Sequence, residues 1–70
     1  MIPNINFILN GQKYSVNTKV TLYDLIYYFN YNDKLLVLEY NKLICNQNSW
    51  ERILISDFDI IEIVTIVGGG

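Results

Sequence analysis

Hydrophobic and polar residues trade places along this chain with two different periods. From Ile5 to Leu9 they alternate: Ile5, Phe7 and Leu9 fall on one face of an extended segment, Asn6 and Ile8 on the other. Asn10-Gly11 follows, a pair suited to a type I′ turn, whose two central residues both need positive φ. Lys13 to Asn17 alternates again, with Tyr14 and Val16 inward. The pattern predicts a β-hairpin.

The period then lengthens. Leu22, Leu25, Ile26 and Phe29 stand at i, i+3, i+4 and i+7, one apolar stripe of an α-helix. Thr21 is placed to cap it, its hydroxyl accepting from the N–H of Asp24, and Asp24 suits the positive helix end. Asn30-Tyr31-Asn32-Asp33 supplies the turn residues that close a helix of about ten residues. Leu25 and Phe29 should carry the packing against a sheet, with Tyr23, Tyr27 and Tyr28 at the margins of the stripe.

Leu35 to Tyr40 reads as a third strand, Asn41-Lys42 as a tight turn and Leu43 to Cys45 as a short fourth strand. Asn46 to Arg52 is polar apart from Trp50, which predicts a loop or single helical turn pinned by the indole. Asp57-Phe58-Asp59 is a turn. Ile60 to Val67 is apolar on both faces except at Glu62 and Thr65, so this strand belongs in the middle of a sheet. The predicted fold is α+β: a mixed sheet of four to five strands with one helix packed across one face, the β-grasp arrangement. The helix would join two parallel strands by a right-handed crossover. One domain over residues 1–67 and a flexible glycine tail over 68–70 account for the chain.

Composition narrows the chemistry. Seventy residues lie near the lower limit for a core without staples, and a hydrophobic share of 51% marks a folding chain. Its five cations (Lys13, Lys19, Lys34, Lys42, Arg52) are scattered singly, and the net charge is −2, which argues against a nucleic-acid partner. No apolar run approaches the roughly 20 residues a membrane span needs. The start, Met1-Ile2-Pro3-Asn4, has no signal or transit character, so the chain is expected in the compartment of its synthesis and not secreted. There is no histidine, and Cys45 is the sole cysteine, expected to be a buried, inert thiol. These counts exclude the usual zinc sites and Cys-His or Ser-His nucleophile pairs. The abundance of Asn, Ile, Tyr and Lys fits an AT-rich genome such as a plastid or a low-GC bacterium, hence stroma or bacterial cytoplasm.

That leaves the tail. Val67 is followed by Gly68-Gly69-Gly70, and glycine without a Cβ is slim and pliable enough to thread a narrow enzyme channel. If the tail is functional, the reactive group is the Gly70 carboxylate and the protein is a carrier. The competing reading is an incidental frayed end.

A β-grasp chain ending in Gly-Gly resembles the ubiquitin-like family, and within it the ThiS group of sulfur carriers. The tail Val67-Gly68-Gly69-Gly70 is similar to that group's ending. Glu39-Tyr40-Asn41-Lys42-Leu43-Ile44 resembles its Glu-x-Asn-x-x-Val segment, and Trp50 stands where a tryptophan is usual. Leu9-Asn10-Gly11-Gln12 and Thr21-Leu22-Tyr23-Asp24-Leu25-Ile26 resemble its hairpin and helix openings. Two positions depart from the pattern: Cys45-Asn46 replaces a frequent Pro-Arg, and Asp57-Phe58-Asp59 replaces Asp-Gly-Asp. Phe disfavours the positive φ that glycine would allow in that turn.

The resemblance implies a carrier and not an enzyme, with no bound cofactor. A ThiF-type adenylyltransferase would join Gly70 to AMP, using ATP. A persulfide sulfur donor would then convert it to a thiocarboxylate, and a ThiG-type thiazole synthase would receive the sulfur for thiamine synthesis. Gly68 and Gly69 would supply reach. An exposed apolar patch on the sheet face away from the helix, from Ile8 and alternate residues of the last strand, would be recognised by partners. Three other readings stay open: a MoaD-like carrier for molybdopterin synthesis, a ubiquitin-like protein modifier, and a binding-only β-grasp module.

Overall fold

Asn10 and Gly11 take φ of 50° and 81°, the left-handed pair a two-residue hairpin turn requires. They join β1 (Ile5–Leu9) to β2 (Gln12–Val16), paired antiparallel from Ile5↔Val16 to Leu9↔Gln12. The computed structural model describes residues 4–31 and 35–65.

Helix α1 spans Leu22–Tyr28 and begins in a capping box. Asp24 N–H donates to Thr21 Oγ1 at 3.0 Å, and Thr21 N–H donates back to Asp24 Oδ2 at 2.9 Å. Two more N–H groups of the first turn, from Leu22 and Tyr23, donate to the carbonyls of Ile53 and Trp50. The helix start is thus tied to the 50–55 segment, so its otherwise orphaned donors are satisfied. At seven residues it is shorter than the ten its periodicity predicts. Asn30 adopts φ 59°, and the N–H of Tyr31 reaches back to the Ile26 carbonyl, a left-handed stop that Asn tolerates. Phe29 becomes the cap and is only partly buried.

Strands β3 (Leu36–Tyr40), β4 (Leu43–Ile44) and β5 (Ile60–Thr65) complete a five-stranded sheet in the order β2-β1-β5-β3-β4. β5 runs parallel to β1 and antiparallel to β3, so it is central, as its apolar sequence predicts. β2 and β3, joined through α1, run in the same direction. This is the β-grasp topology.

The core lies between helix and sheet. Leu22, Leu38 and Ile61 are fully enclosed; Phe7, Leu9, Leu25, Ile26, Trp50, Ile55 and Ile63 pack around them. Trp50 follows a single 3-10 turn (Gln47–Ser49) and donates from its indole to the Cys45 carbonyl at 3.2 Å, so it pins that loop as expected. β4 ends one residue earlier than predicted, and Cys45 is half-buried instead of buried. Burial still pushes its thiol pKa up, which keeps thiolate scarce and agrees with an inert group. No helix among the described residues is long and apolar enough to cross a membrane.

Candidate functional site

The element that leads the sequence toward the glycines is β5, and the fold holds it from both ends. At its start, Asp59 is buried, and its carboxylate accepts three hydrogen bonds. The donors are the Tyr40 hydroxyl (2.7 Å), Asn41 Nδ2 (3.1 Å) and the Ser56 N–H (2.7 Å). Asn41 is itself bracketed by β5: its Oδ1 accepts from the Ile60 N–H at 2.8 Å, and its N–H donates to the Ile60 carbonyl at 2.7 Å. It can do so because Asn41 and Lys42 turn with φ of 52° and 72°. The Tyr40 hydroxyl is pushed up to about 12 by burial first, then by its hydrogen bond to Asp59 and that residue's negative charge.

Further along, β1 ends at Leu9, opposite Ile61, while β5 continues. Asn10 prolongs the ladder from the turn: its N–H donates to the Ile61 carbonyl at 2.9 Å and its Oδ1 accepts from the Ile63 N–H at 2.7 Å. Its Nδ2 reaches the Tyr31 hydroxyl at 3.4 Å, tying the end of the helix to the same place. One turn residue therefore substitutes for two residues of missing strand.

The register settles which residues face away from the helix. Ile8 pairs with Ile60, Val37 with Val64 and Glu39 with Glu62, while Ile61 and Ile63 pack under the helix. The open face thus carries Ile8, Ile60, Val37 and Val64, with Ile44 beside Glu39 on β4. Val64 and Ile44 are 58% and 77% exposed. Two glutamates directly opposite each other repel, a cost the sheet bears unless a cation meets them. The expected apolar patch is present, and it encloses an acidic pair that periodicity alone did not predict.

Gly68, Gly69 and Gly70 lie outside the described residues. Among the described residues, no group of three or more His, Cys, Asp or Glu could hold a metal ion. The Asp57-Phe58-Asp59 turn does adopt the geometry a glycine would favour: Phe58 has φ 69°. Its N–H donates to the Asn6 carbonyl at 2.6 Å, and Asp57 Oδ1 accepts from the Asn6 N–H at 2.7 Å. The sequence reading missed the roles of Asp59, Asn10 and the Tyr40 hydroxyl. A signal was available in Asp59, a carboxylate immediately before a run of core residues, which demands local donors.

A five-stranded mixed sheet, gripped by one helix and built around the strand that precedes the glycines, places the molecule among the ubiquitin-like β-grasp proteins. The ThiS family model matches residues 5–70, and the chain belongs to that family. It is 58% identical over 64 residues to the uncharacterized protein ycf40 of Trieres chinensis, covering 91% of this chain and 88% of that one. It is 36% identical over 64 residues to the sulfur carrier protein ThiS of Bacillus subtilis, covering 89% and 96%. The crystal structure of the thiamine biosynthesis protein ThiS from Geobacter metallireducens superposes with a TM-score of 0.79 at 19% identity. That match covers 94% of this chain and all of the other, and it shows the shared fold.

Proposed function

We propose that this chain is a sulfur carrier for the thiazole ring of thiamine, acting as a co-substrate of other enzymes. The observation that carries the reading is membership of the ThiS family over residues 5–70, a span that includes Gly68-Gly69-Gly70. A carboxylate at neutral pH is a poor electrophile, so Gly70 needs activation. A ThiF-type enzyme would transfer AMP from ATP to the Gly70 carboxylate with loss of pyrophosphate. The terminal sulfur of a persulfide donor attacks the acyl carbon, and the C–O bond to AMP breaks. A thiol then cleaves the resulting S–S bond and leaves the thiocarboxylate for a ThiG-type thiazole synthase. The chain's own share is to present Gly70 on a thin tail from a firmly held strand.

Docking falls to the open sheet face. Its apolar residues suit a dry interface, and the Glu39–Glu62 pair suits a cation from the partner. The work would take place in the plastid stroma or the bacterial cytoplasm, with no bound cofactor.

Deleting Gly70 tests the reading. Glycine has no side chain to bury, so the chain shortened by Gly70 should keep its melting temperature and lose thiazole formation in a strain that depends on it. Growth of that strain without added thiazole would refute the proposal.

A further inference from the structure

On the reading that Gly70 is adenylated, we propose that Phe58 is the anchor by which the activating enzyme tells this carrier from other chains ending in glycine. Gly68, Gly69 and Gly70 have no side chains to be read, so a carrier's identity has to reside in its folded body. Phe58 is the residue of that body whose placement folding does not explain.

Among the described residues, Asn10, Asn30, Asn41, Lys42 and Phe58 are the non-glycines with positive φ. The first four are polar, and Asn tolerates the left-handed region. Phe58 alone is apolar, at φ 69°. It is also the most exposed large hydrophobic residue described, at 81%. A strained backbone thus holds in water a ring that burial would stabilise. Strain joined to exposure marks a contact site, where a partner supplies the burial that the fold withholds.

The backbone beneath the ring is fixed without it. The Phe58 N–H donates to the Asn6 carbonyl at 2.6 Å, and the Asn6 N–H donates to Asp57 Oδ1 at 2.7 Å. Across the same turn, the Ser56 N–H donates to Asp59 Oδ2 at 2.7 Å and the Asp59 N–H to the Ser56 carbonyl at 3.2 Å. None of these bonds uses the Phe58 side chain, and a mount so constrained has little backbone freedom left to lose on binding. Asn6 lies two residues before Ile8, and Phe58 two before Ile60, so the turn borders the Ile8–Ile60 row of the open face. The Glu39–Glu62 pair lies beyond that row on the other side. The complementary enzyme surface has an apolar pocket at one end for the ring and a cation at the other for the glutamates.

The test is steady-state adenylation of the full chain by a ThiF-type enzyme, followed as pyrophosphate release at varied carrier concentration. Phe58→Gly keeps every hydrogen bond of the turn and relieves its backbone. It should raise KM about tenfold or more and leave kcat unchanged, while its melting temperature rises. A merely structural residue would not weaken recognition in a more stable chain. Phe58→Ala removes the ring but keeps a Cβ at the strained position, and it should raise KM as much. Phe58→Tyr, which keeps the ring, should stay near the parent. Equal KM for the parent and both ringless variants would overturn the proposal. So would a fall in kcat alone, or a loss confined to sulfur transfer to the thiazole synthase. A parent chain that is not adenylated at all would remove the carrier reading and this inference with it, whereas normal adenylation indifferent to Phe58 would remove this inference alone.

Discussion

Asp59 shows how much one side chain can organise. Its carboxylate ties β3, the β3–β4 turn and the Ser56 N–H ahead of β5 together, and every bond it accepts comes from a neutral donor. The Tyr40 hydroxyl must stay protonated to take part, and its folded pKa of about 12 lies above the ordinary 10.0. Linkage then fixes the sign: the stabilisation is complete below pH 10 and is lost as pH rises toward 12. In alkaline melts, Tyr40→Phe should start less stable and lose less between those two pH values than the parent; equal losses would remove Tyr40 from this role. Phe58 is the opposite case, a bulky residue held at φ 69° with its ring 81% exposed. Left-handed backbone costs such a residue about 1 kcal/mol, and the ring regains little by burial. Phe58→Gly should therefore raise the melting temperature by roughly 4–8 °C in a domain of this size. A fall would mean that the ring contributes packing its exposure does not show.

At the scale of elements, the hairpin and the central strand were legible in the sequence because period-2 alternation and an Asn-Gly turn are local signals. The Thr21 cap was legible for the same reason. The length of α1 was not: Asn30 ends it through a left-handed backbone that the apolar stripe, running on to Phe29, conceals. That changes the expected energetics. Leu25 is buried and its truncation to Ala should cost about 2–5 kcal/mol, enough to unfold much of so small a domain. Phe29, half-buried at the cap, should cost less than its place on the stripe implies. Tyr23→Ala, at a 41% exposed site, should be mildest. Thermal melts giving the order Leu25, Phe29, Tyr23 would support this division of labour. If Tyr23→Ala were as damaging as Leu25→Ala, the helix would face the sheet by another side. The open face was half legible: Ile8 follows from alternation, but the partners of Ile60, Glu62 and Val64 depend on register, which arises from pairings distant in sequence.

Across the whole molecule, the two sides of the sheet have different work. One is largely covered by α1 and Trp50 and supplies the stability. The other keeps apolar residues and two opposed glutamates in solvent, an arrangement that favours a partner more than folding. Between them β5 is fixed at Ile60 by Asn41 and at Ile63 by Asn10, so the strand itself has a defined position. The glycines were legible as a motif, whereas the chemistry proposed for them would belong to enzymes that are separate molecules. The central claim is that Gly70 accepts sulfur after activation, and intact mass reads it directly. Incubated with ATP, a ThiF-type enzyme and a sulfur source, the chain should gain about 16 Da from exchange of a carboxylate oxygen for sulfur, nearly what methionine oxidation adds. Accurate mass and alkylation of the thioacid separate the two, and fragmentation should place the gain on Gly70, far from Met1, the sole methionine. Without ATP there should be no product. A gain that forms without ATP, or that maps to Cys45, would contradict the claim.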